Sequence, residues 1–351
     1  MSQKRRTIAV DVMGADRGPT EVIAGVQMAL DEGWTLDGIV LVGHQEIIQP
    51  LLQAEGLAHD ERLEVLHASE VIEMTDKPIQ SLKKKKDASM VRAIEQVKDG
   101  RCRAAVSCGN TGTLMACSTI RLRPMEGVSK PALATVWPGV EGQWVFLDAG
   151  ANPQAKPENL VHNAVLGYHY ARAALEIDRP KVGLLSIGTE EGKGNDLVNE
   201  THDLLKELRD EVNYTGLVEG FGLFTGEVDV VVTDGFTGNV VLKSCEGLWS
   251  MIKGKMKEEF TRTLTRKVGA GLLKPAMADV KARIDPDKYS GAPLLGLRGP
   301  VIKTHGSADQ HKIAHAIRIA AAVVEQDLTR NSKDALARVN AVLRPEAVAA
   351  V

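Results

Sequence analysis

The chain has 351 residues, of which 44% are hydrophobic, 25% charged and only 4% aromatic. This composition is typical of a globular protein with an aliphatic core, and no apolar run reaches the roughly eighteen residues of a membrane-spanning helix. The net charge of −3 argues against a protein that binds nucleic acid through excess positive charge.

Apolar strand-like runs alternate with helical patterns along the chain. Strands are predicted at 8–12, 38–42, 63–67, 104–106, 132–136, 144–147, 182–187, 214–218 and 228–232. Helices are predicted at 19–32, 44–55, 88–98, 159–175, 196–207, 238–263 and 309–327. This alternation predicts an α/β fold with a mostly parallel sheet covered by helices on both faces. Ligands of such sheets bind at the carboxyl ends of the strands.

Two segments depart from this alternation. Residues 250–288 are helical, mixed basic and apolar, and are interpreted as a helical hairpin that projects from the sheet domain. Residues 1–330 then form one domain with this insertion, and residues 331–351 form a short C-terminal tail that carries one short helical pattern after Asn331. The end of that tail, 344–351, is expected to fray.

The loop after the first strand carries two carboxylates, Asp11 and Asp16. Carboxylates near an anion site repel phosphate unless donors or a cation intervene. We therefore leave two interpretations open for this loop. The pair orients the substrate, or Asp16 caps the helix that opens at Pro19.

A glycine-bearing turn, residues 107–113, stands between an apolar run and a helical pattern. A strand, a turn and a helix in that order point several backbone N–H groups at one anion. We interpret Gly109, Asn110, Thr111 and Gly112 as a phosphate cradle. The alternative is an ordinary turn in which Thr113 is the N-cap.

Two further loops follow predicted strands. The loop 188–195 resembles a phosphate loop but lacks the Walker spacing and its Ser or Thr, so nucleotide hydrolysis is not expected. Its Lys193 could neutralise an anion or be a solvated lysine. The turn 234–239 contains Asp234 and Asn239 and opens the long helix, either as a second cradle or as a turn capped by Asn239.

The segment 303–309 places Lys303 and His305 before the last long helix predicted within residues 1–330. A histidine can protonate a leaving group near neutral pH, although most single histidines are structural. His311 and His315 are spaced i, i+4 without an acidic partner, so no metal site is expected.

Basic residues are concentrated in two places. Lysines at 83–86 and the basic helix 253–267 are solvated faces or docking sites for an acidic partner. Aliphatic residues stand at the end of the basic helix, which indicates either a membrane surface or a dimer interface. These residues are Val268, Leu272, Leu273 and Met277.

The chain closely resembles the bacterial phosphate acyltransferases, the acyl-[acyl-carrier-protein]–phosphate transacylases of phospholipid synthesis. The resemblance runs from about residue 8 to residue 324. It is carried by IAVDVMGADRGP (8–19), HASEVIEMTDKP (67–78), SCGNTGTLMA (107–116), DAGAN (148–152), SIGTEEGKGN (186–195), GEVDVVVTDGFTGNVVLKSCEGL (226–248) and SGAPLLGLRGPVIKTHGSAD (290–309). Cys108 stands where the family usually has alanine, which argues against a cysteine nucleophile.

The resemblance implies a three-layer α/β/α sandwich like that of isocitrate and isopropylmalate dehydrogenases and of phosphotransacetylases. It implies transfer of a long-chain acyl group from acyl carrier protein to inorganic phosphate, with no cofactor. It further implies a homodimer in peripheral contact with the inner face of the membrane, where a membrane acyltransferase uses the acyl phosphate. The first six residues lack the apolar core of a signal peptide, so a cytoplasmic protein with reduced thiols is expected.

On this basis we assign roles as hypotheses. The cradle and Lys193 hold phosphate, Asn239 stabilises the oxyanion, and His305 protonates or orients the leaving thiol. Asp11, Asp16, Asp234 and Lys303 orient the substrates, and the projecting hairpin with its aliphatic tip forms the wall for the acyl chain and its exit toward lipid. The alternatives are a dehydrogenase, a phosphotransacetylase that uses short acyl-CoA esters, and a non-catalytic scaffold that binds carrier protein at the membrane.

Overall fold

The computed structural model describes residues 6–33, 36–284 and 291–343 of the chain. Twelve strands lie in this described part. They are β1 (Thr7–Asp11), β2 (Gly38–Gly43), β3 (Leu63–His67), β4 (Ala104–Ser107), β5 (Ala132–Leu133), β6 (Thr135–Gly139), β7 (Gly142–Leu147), β8 (Val182–Leu185), β9 (Tyr214–Val218), β10 (Val230–Val232), β11 (Ala292–Leu295) and β12 (Val301–Lys303).

The strands form two sheets. The first has the order β3-β2-β1-β4-β12-β11-β5 and the second has the order β6-β7-β10-β8-β9. In the first sheet the parallel strands are β3, β2, β1, β4 and β12, and in the second they are β7, β10, β8 and β9. The antiparallel strands β11, β5 and β6 lie where the chain passes from one sheet to the other.

Thirteen helices lie in the described part of the chain, and most of them cover the sheets. They are α1 (Pro19–Asp31), α2 (Gln45–Ala54), α3 (Pro78–Lys84), α4 (Ser89–Lys98), α5 (Thr111–Leu122), α6 (Pro157–Leu175), α7 (Asp196–Glu207), α8 (Arg209–Val212), α9 (Gly235–Thr261), α10 (Leu264–Leu272), α11 (Lys274–Ile284), α12 (Gln310–Glu325) and α13 (Leu328–Leu343).

Successive side chains of the central strands point to opposite faces of the sheet, and they are buried on both faces. In β1, Ile8 and Val10 join the largest apolar cluster, while Ala9 faces a smaller cluster on the other side. In β7, Val145 joins the largest cluster and Phe146 the cluster under α9. Both faces of each sheet are therefore covered, as expected for parallel sheets, and the predicted mostly parallel α/β fold is confirmed.

Some boundaries differ from those predicted. The predicted strand 132–136 is two strands, because the chain leaves the first sheet at Leu133 and joins the second at Thr135. The strands β11 and β12 were not predicted. They are four and three residues long, too short for a clear periodic pattern.

The C-terminal region also differs from the predicted tail. Helix α13 begins before residue 331 and packs along α6, burying Leu336 and Val339. The fold therefore continues to residue 343. Residues 344–351, which were expected to fray, lie outside the described residues.

The segment predicted as a hairpin consists of the end of α9 followed by α10 and α11. No residue of α10 is buried, so this segment adds little to the core. Its predicted end, 285–288, lies outside the described residues. No helix in the described ranges combines the length and apolarity required to cross a bilayer.

Candidate functional site

A cleft of about 450 Å³ opens where the N-terminus of α5, the end of β12 and the first half of α9 meet. Five of the described residues that line it have basic side chains. They are Lys243, Lys253, Lys303, Lys312 and His305. Among the described lining residues Glu246 is the one acid, and it accepts a 2.7 Å hydrogen bond from Lys243. The cleft is therefore suited to bind an anion.

Thr111, the first residue of α5, lines this cleft. The preceding Asn110 is the N-cap, since its Oδ1 accepts the Thr113 N–H at 2.9 Å. Its Nδ2 donates to the Met74 carbonyl at 2.6 Å. The side chain of Asn110 thus positions the turn, whereas the N–H groups of Thr111 and Gly112 lack intrahelical acceptors and can bind an anion. Thr113 is fully buried and is not the N-cap.

The first loop is tied to this turn. Oδ2 of Asp11 accepts the Ser107 hydroxyl at 2.7 Å, and Oδ1 accepts the Met13 N–H at 3.3 Å. A Cβ on Gly14 would lie 2.9 Å from the Gly109 nitrogen, so only glycine allows the two loops to approach so closely. Burial raises the pKa of Asp11, against the opposing effect of the hydroxyl of Ser107. Asp11 therefore holds the loops together at the edge of the cleft.

Asp16 is exposed and lies beside Gly306. Its N–H donates to the Gly306 carbonyl at 2.8 Å. It does not cap α1, whose N-cap is Gly18 without a side-chain hydrogen bond. The capping interpretation of Asp16 was wrong, and its carboxylate instead contributes negative charge next to the basic residues of the cleft.

Lys303 pairs with Ser107 across the parallel strands β12 and β4, which places it next to the α5 turn. Burial lowers the pKa of Lys303 to about 8, opposed by the charge of Asp16. A lysine with such a pKa is still mostly protonated at neutral pH, so Lys303 contributes positive charge where an anion would sit.

His305 is held by its neighbour Ser307. The Ser307 backbone N–H donates to Nδ1 at 3.2 Å, and the Ser307 hydroxyl lies 2.8 Å from the same nitrogen. Because Nδ1 accepts, the neutral ring carries its proton on Nε2. Burial and the charges of Lys303 and Lys243 lower the pKa of His305. At neutral pH His305 is therefore a neutral hydrogen-bond donor.

Three buried polar atoms that line the cleft have no hydrogen-bond partner among the described residues. They are Oγ1 of Thr135, Nε1 of Trp249 and Oγ1 of Thr304. Thr304 is only 2% exposed. A buried polar atom without a partner costs about 1–3 kcal/mol, so a ligand group that reached one of these atoms would be stabilised by the hydrogen bond.

The loops of the second sheet converge at the carboxyl ends of β7 and β10. Asp234 is the N-cap of α9 and accepts the N–H groups of Phe236 and Thr237. The helix therefore begins at Gly235, and the interpretation of Asn239 as N-cap was wrong. A Cβ on Gly238 would lie 1.9 Å from the Asp148 carbonyl oxygen, so glycine is needed for α9 to pass this loop.

The carboxylate of Asp148 organises the adjoining turn. It accepts four backbone N–H groups, those of Leu133, Gly150, Ala151 and Asn152, at 2.7–3.2 Å. Burial raises its pKa, while these hydrogen bonds oppose the rise. The same turn brings Gly150 close to Asn239. A Cβ added at position 150 would lie 3.3 Å from the Cβ of Asn239.

Lys193 and Asn239 are both exposed, and neither is among the described residues that line the cleft. Lys193 lies in the loop after β8, where its carbonyl accepts the Ser186 hydroxyl at 3.0 Å. The predicted residues thus fall into two groups. The α5 turn, Lys303 and His305 belong to the cleft, and Lys193 and Asn239 belong to the strand-end loops of the second sheet.

Cys108 cannot act as a thiolate at neutral pH. It is 2% exposed, and burial together with the neighbouring Asp11 raises its pKa to about 12. This agrees with the expectation that no cysteine nucleophile is involved.

The contribution of α9 to the cleft was not predicted from the sequence. Lys243 and Trp249 of α9 were not singled out, and neither was Lys312 of α12. On α9, Lys243, Glu246 and Lys253 follow one another at intervals of three and seven residues, which places them on one side of a helix. That spacing was the available signal.

Comparisons with known proteins give a consistent result. The family model described as fatty acid synthesis protein matches residues 6–331. A phosphate acyltransferase of Bacillus pumilus is 44% identical over 323 residues, 92% of this chain and 95% of that protein. One from Methylococcus capsulatus is 45% identical over 320 residues, 91% and 94% of the two chains.

Solved structures show the fold. A phosphotransacetylase from Streptococcus pyogenes superposes with a TM-score of 0.62 at 18% identity, covering 92% of this chain and 94% of that one. A 4-hydroxythreonine-4-phosphate dehydrogenase from Klebsiella pneumoniae gives 0.51 at 13% identity, covering 92% and 99%. The expected α/β fold, which these two structures share, is confirmed.

Proposed function

The chain belongs to the phosphate acyltransferase family of fatty acid synthesis proteins, and on that premise we propose that it transfers a long-chain acyl group from acyl-acyl carrier protein to inorganic phosphate. The product is an acyl phosphate for phospholipid synthesis. The observation that carries the proposal is the cleft, in which Lys303, Lys243 and His305 face the N-terminus of α5.

Phosphate binds first in this scheme. The N–H groups of Thr111 and Gly112 and the charge of Lys303 receive its oxygens, and the buried hydroxyl of Thr304 gains its missing partner. Lys193 and Asn239 complete the site from the loops of the second sheet. Asp11 and Asp234 act indirectly, because their carboxylates are engaged in holding the loops.

The chemical step needs positioning more than proton transfer. Phosphate monoesters lose their second proton near pH ~6, and inorganic phosphate is similarly ionised at neutral pH. A phosphate oxygen attacks the thioester carbonyl carbon, the carbon–sulfur bond breaks, and the thiol leaves with a pKa of about 8.5. Donors must therefore hold the nucleophile and stabilise the oxyanion as it forms.

His305 is suited to orient the leaving sulfur. Its lowered pKa leaves the ring neutral at pH 7, with Nε2–H as donor. It can hydrogen-bond the thiolate as charge develops, and solvent can supply the final proton. Asn239 is the proposed donor to the carbonyl oxygen, although its placement outside the cleft lining requires the substrate to bridge the two groups of residues.

The acidic carrier protein is proposed to dock beside the cleft on α3. Lys83 and Lys84 of α3 and Lys86, just after the helix, are exposed, whereas Lys85 is bound to Asp76 and the Val71 carbonyl. Helix α3 contacts α5, so a carrier held on these lysines would present its thioester near the α5 turn. Charge complementarity of this kind mainly raises the association rate.

We propose that the protein forms a homodimer in which α9 is part of the interface. Phe236, Val240 and Met251 lie on one side of this helix and are 65%, 52% and 57% exposed. An apolar stripe of this kind on a surface helix is typical of an interface. A second copy of the chain would cover it.

Peripheral membrane contact is proposed at the end of the α9–α10 segment. Val268, Leu272 and Leu273 are exposed, whereas Met277 is half-buried. Leu264, which was not predicted, is 80% exposed. Basic side chains flank these residues, as in helices that bind anionic bilayers. Such contact on the cytoplasmic side would deliver acyl phosphate to a membrane acyltransferase.

The proposed function is tested by phosphate-dependent release of the carrier thiol from palmitoyl-carrier protein, followed with a thiol reagent. Release that requires phosphate supports it. A phosphotransacetylase is favoured instead if acetyl-CoA reacts and palmitoyl-carrier protein does not.

A further inference from the structure

A second cavity adjoins the cleft and differs from it in character. It has a volume of about 330 Å³, and none of the described residues that line it is charged. Its lining includes Pro138, Val140, Phe224, Leu248 and Ile252. An apolar cavity beside a cationic one is the arrangement expected for a ligand with a charged head and a hydrocarbon tail.

Two tryptophans join the cavities. Trp137 and Trp249 line both the cationic cleft and the apolar cavity. Trp137 is buried and belongs to the apolar cluster that also contains Trp144, Phe146 and the half-buried Phe224. The floor of the cavity is therefore part of the packed core, and its shape exists before a ligand binds.

From these observations we propose that the apolar cavity, called the acyl groove below, binds the hydrocarbon chain of the acyl substrate, and that its length selects long chains over short ones. The inference rests on the proposed function. The carbonyl carbon lies in the cationic cleft, and the chain passes Trp137 and Trp249 into the groove. The wall of the chain site is thus the base of α9 and not the end of α10.

The length of β6 and of the turn that follows it determines how long an acyl chain the groove can hold. Thr135 lines the cleft, and Val140, five residues later, lines the far end of the groove. Five residues of extended chain span about 16 Å, a distance that a medium or long acyl chain can fill. Val140 is 82% exposed, so the far end is open and the longest chains can extend past it.

A second copy of the chain is a less suitable occupant of the groove. The exposed stripe on α9 (Phe236, Val240 and Met251) and the groove residues (Cys245, Leu248 and Ile252) lie on different sides of the helix, given about 3.6 residues per turn. The groove is a concave site continuous with the cleft, whereas the stripe lies on the outer surface of α9.

The test compares palmitoyl- and butyryl-carrier protein as substrates of the wild type and of Ile252→Trp. Each methylene kept out of the groove weakens binding about fourfold. If three methylenes are displaced, kcat/KM for the palmitoyl substrate falls on the order of 50-fold, whereas kcat/KM for the butyryl substrate is unchanged. Val140→Trp, at the exposed far end, should produce a smaller loss that is again confined to the long chain.

Ile120→Trp is the matched control, because Ile120 is an exposed apolar residue of α5 outside both cavities. It should leave both substrates unaffected. Equal losses for the two chain lengths in Ile252→Trp would overturn the acyl groove. So would a change of Ile252→Trp to a different oligomeric state, because the cavity would then be an interface between copies.

A binding measurement separates this inference from the proposed function. Palmitate brominated near the middle of its chain should quench tryptophan fluorescence, and Trp249→Phe should reduce the quenching. Quenching without any turnover of either thioester would refute the proposed function and retain the groove. Turnover of palmitoyl-carrier protein without quenching would retain the function and refute the groove.

Discussion

Nδ1 of His305 accepts the backbone N–H of Ser307 at 3.2 Å. This single hydrogen bond determines which ring nitrogen can serve the substrate, since Nε2 then carries the proton of the neutral ring. With the pKa of His305 lowered by burial and by Lys303 and Lys243, the imidazole enters the reaction as a neutral donor.

The first prediction concerns the pH dependence of this histidine. Because its pKa lies below the ordinary 6.5, the ring is mostly neutral at pH 7, and kcat/KM should not rise further above neutral pH through this group. It should fall only as the pH drops further and the ring is protonated. His305→Ala should lower kcat on the order of 10²-fold and remove that acidic limb. If activity instead declines as pH rises through 6.5, the imidazolium is the active form and the assignment is wrong.

The second prediction concerns Lys303, whose pKa is lowered to about 8. Its positive charge is present below pH 8 and is lost as the pH rises above it. The KM for phosphate should therefore increase above pH 8 in the wild type. Lys303→Arg, which stays charged, should shift that increase to higher pH, and Lys303→Met should show a raised KM at every pH. A KM that is the same for all three proteins would contradict a role of Lys303 in phosphate binding.

The third prediction uses the buried hydroxyl of Thr304, which has no partner among the described residues. Thr304→Val keeps the shape of the side chain and removes only Oγ1, so the melting temperature without phosphate should not fall. The stabilisation of the protein by added phosphate should decrease. Thr113→Val is the comparison, because Thr113 is also buried but its Oγ1 donates to Asn110 at 3.2 Å. A loss of stability in Thr304→Val with unchanged response to phosphate would mean that the hydroxyl is structural.

The fourth prediction concerns the end of the α9–α10 segment. Leu272 is 79% exposed, and Leu272→Glu places a carboxylate where an anionic bilayer would approach. Co-sedimentation with anionic vesicles should be lost, while turnover of substrate in solution is retained. Val342→Glu, an exposed apolar position on α13, is the control and should still bind. Vesicle binding by Leu272→Glu equal to that of the control would reject this contact.

Much of the fold was predictable from the sequence. The bounds of β3, β9 and α7 were predicted to the residue, because apolar periodicity and flanking polar residues mark them clearly. The start of α9 was placed three residues too late, since Asp234 and not Asn239 caps it. A short polar segment with two cap-forming residues does not show which of them the backbone uses.

The candidate site was predictable only in part. The loops after β1 and β4 could be assigned to the ends of parallel strands, where ligands bind, whereas the place of the loop after β12 could not, because β12 itself was not predicted. The side chains that α9 contributes could not, since the chain crosses from the first sheet to the second before reaching Lys243 and Trp249. The roles of Asn110 and Asp11 were also hidden, because both depend on hydrogen bonds to partners far away in the sequence, Met74 and Ser107.

The central claim is that a phosphate ion held in the cationic cleft takes an acyl group from sulfur. The most direct measurement is to incubate the protein with palmitoyl-carrier protein and phosphate and to detect palmitoyl phosphate itself by mass spectrometry. We expect palmitoyl phosphate that requires both protein and phosphate, with free carrier released in equal amount. Free carrier released equally without phosphate, or no palmitoyl phosphate with both substrates present, would contradict this proposal.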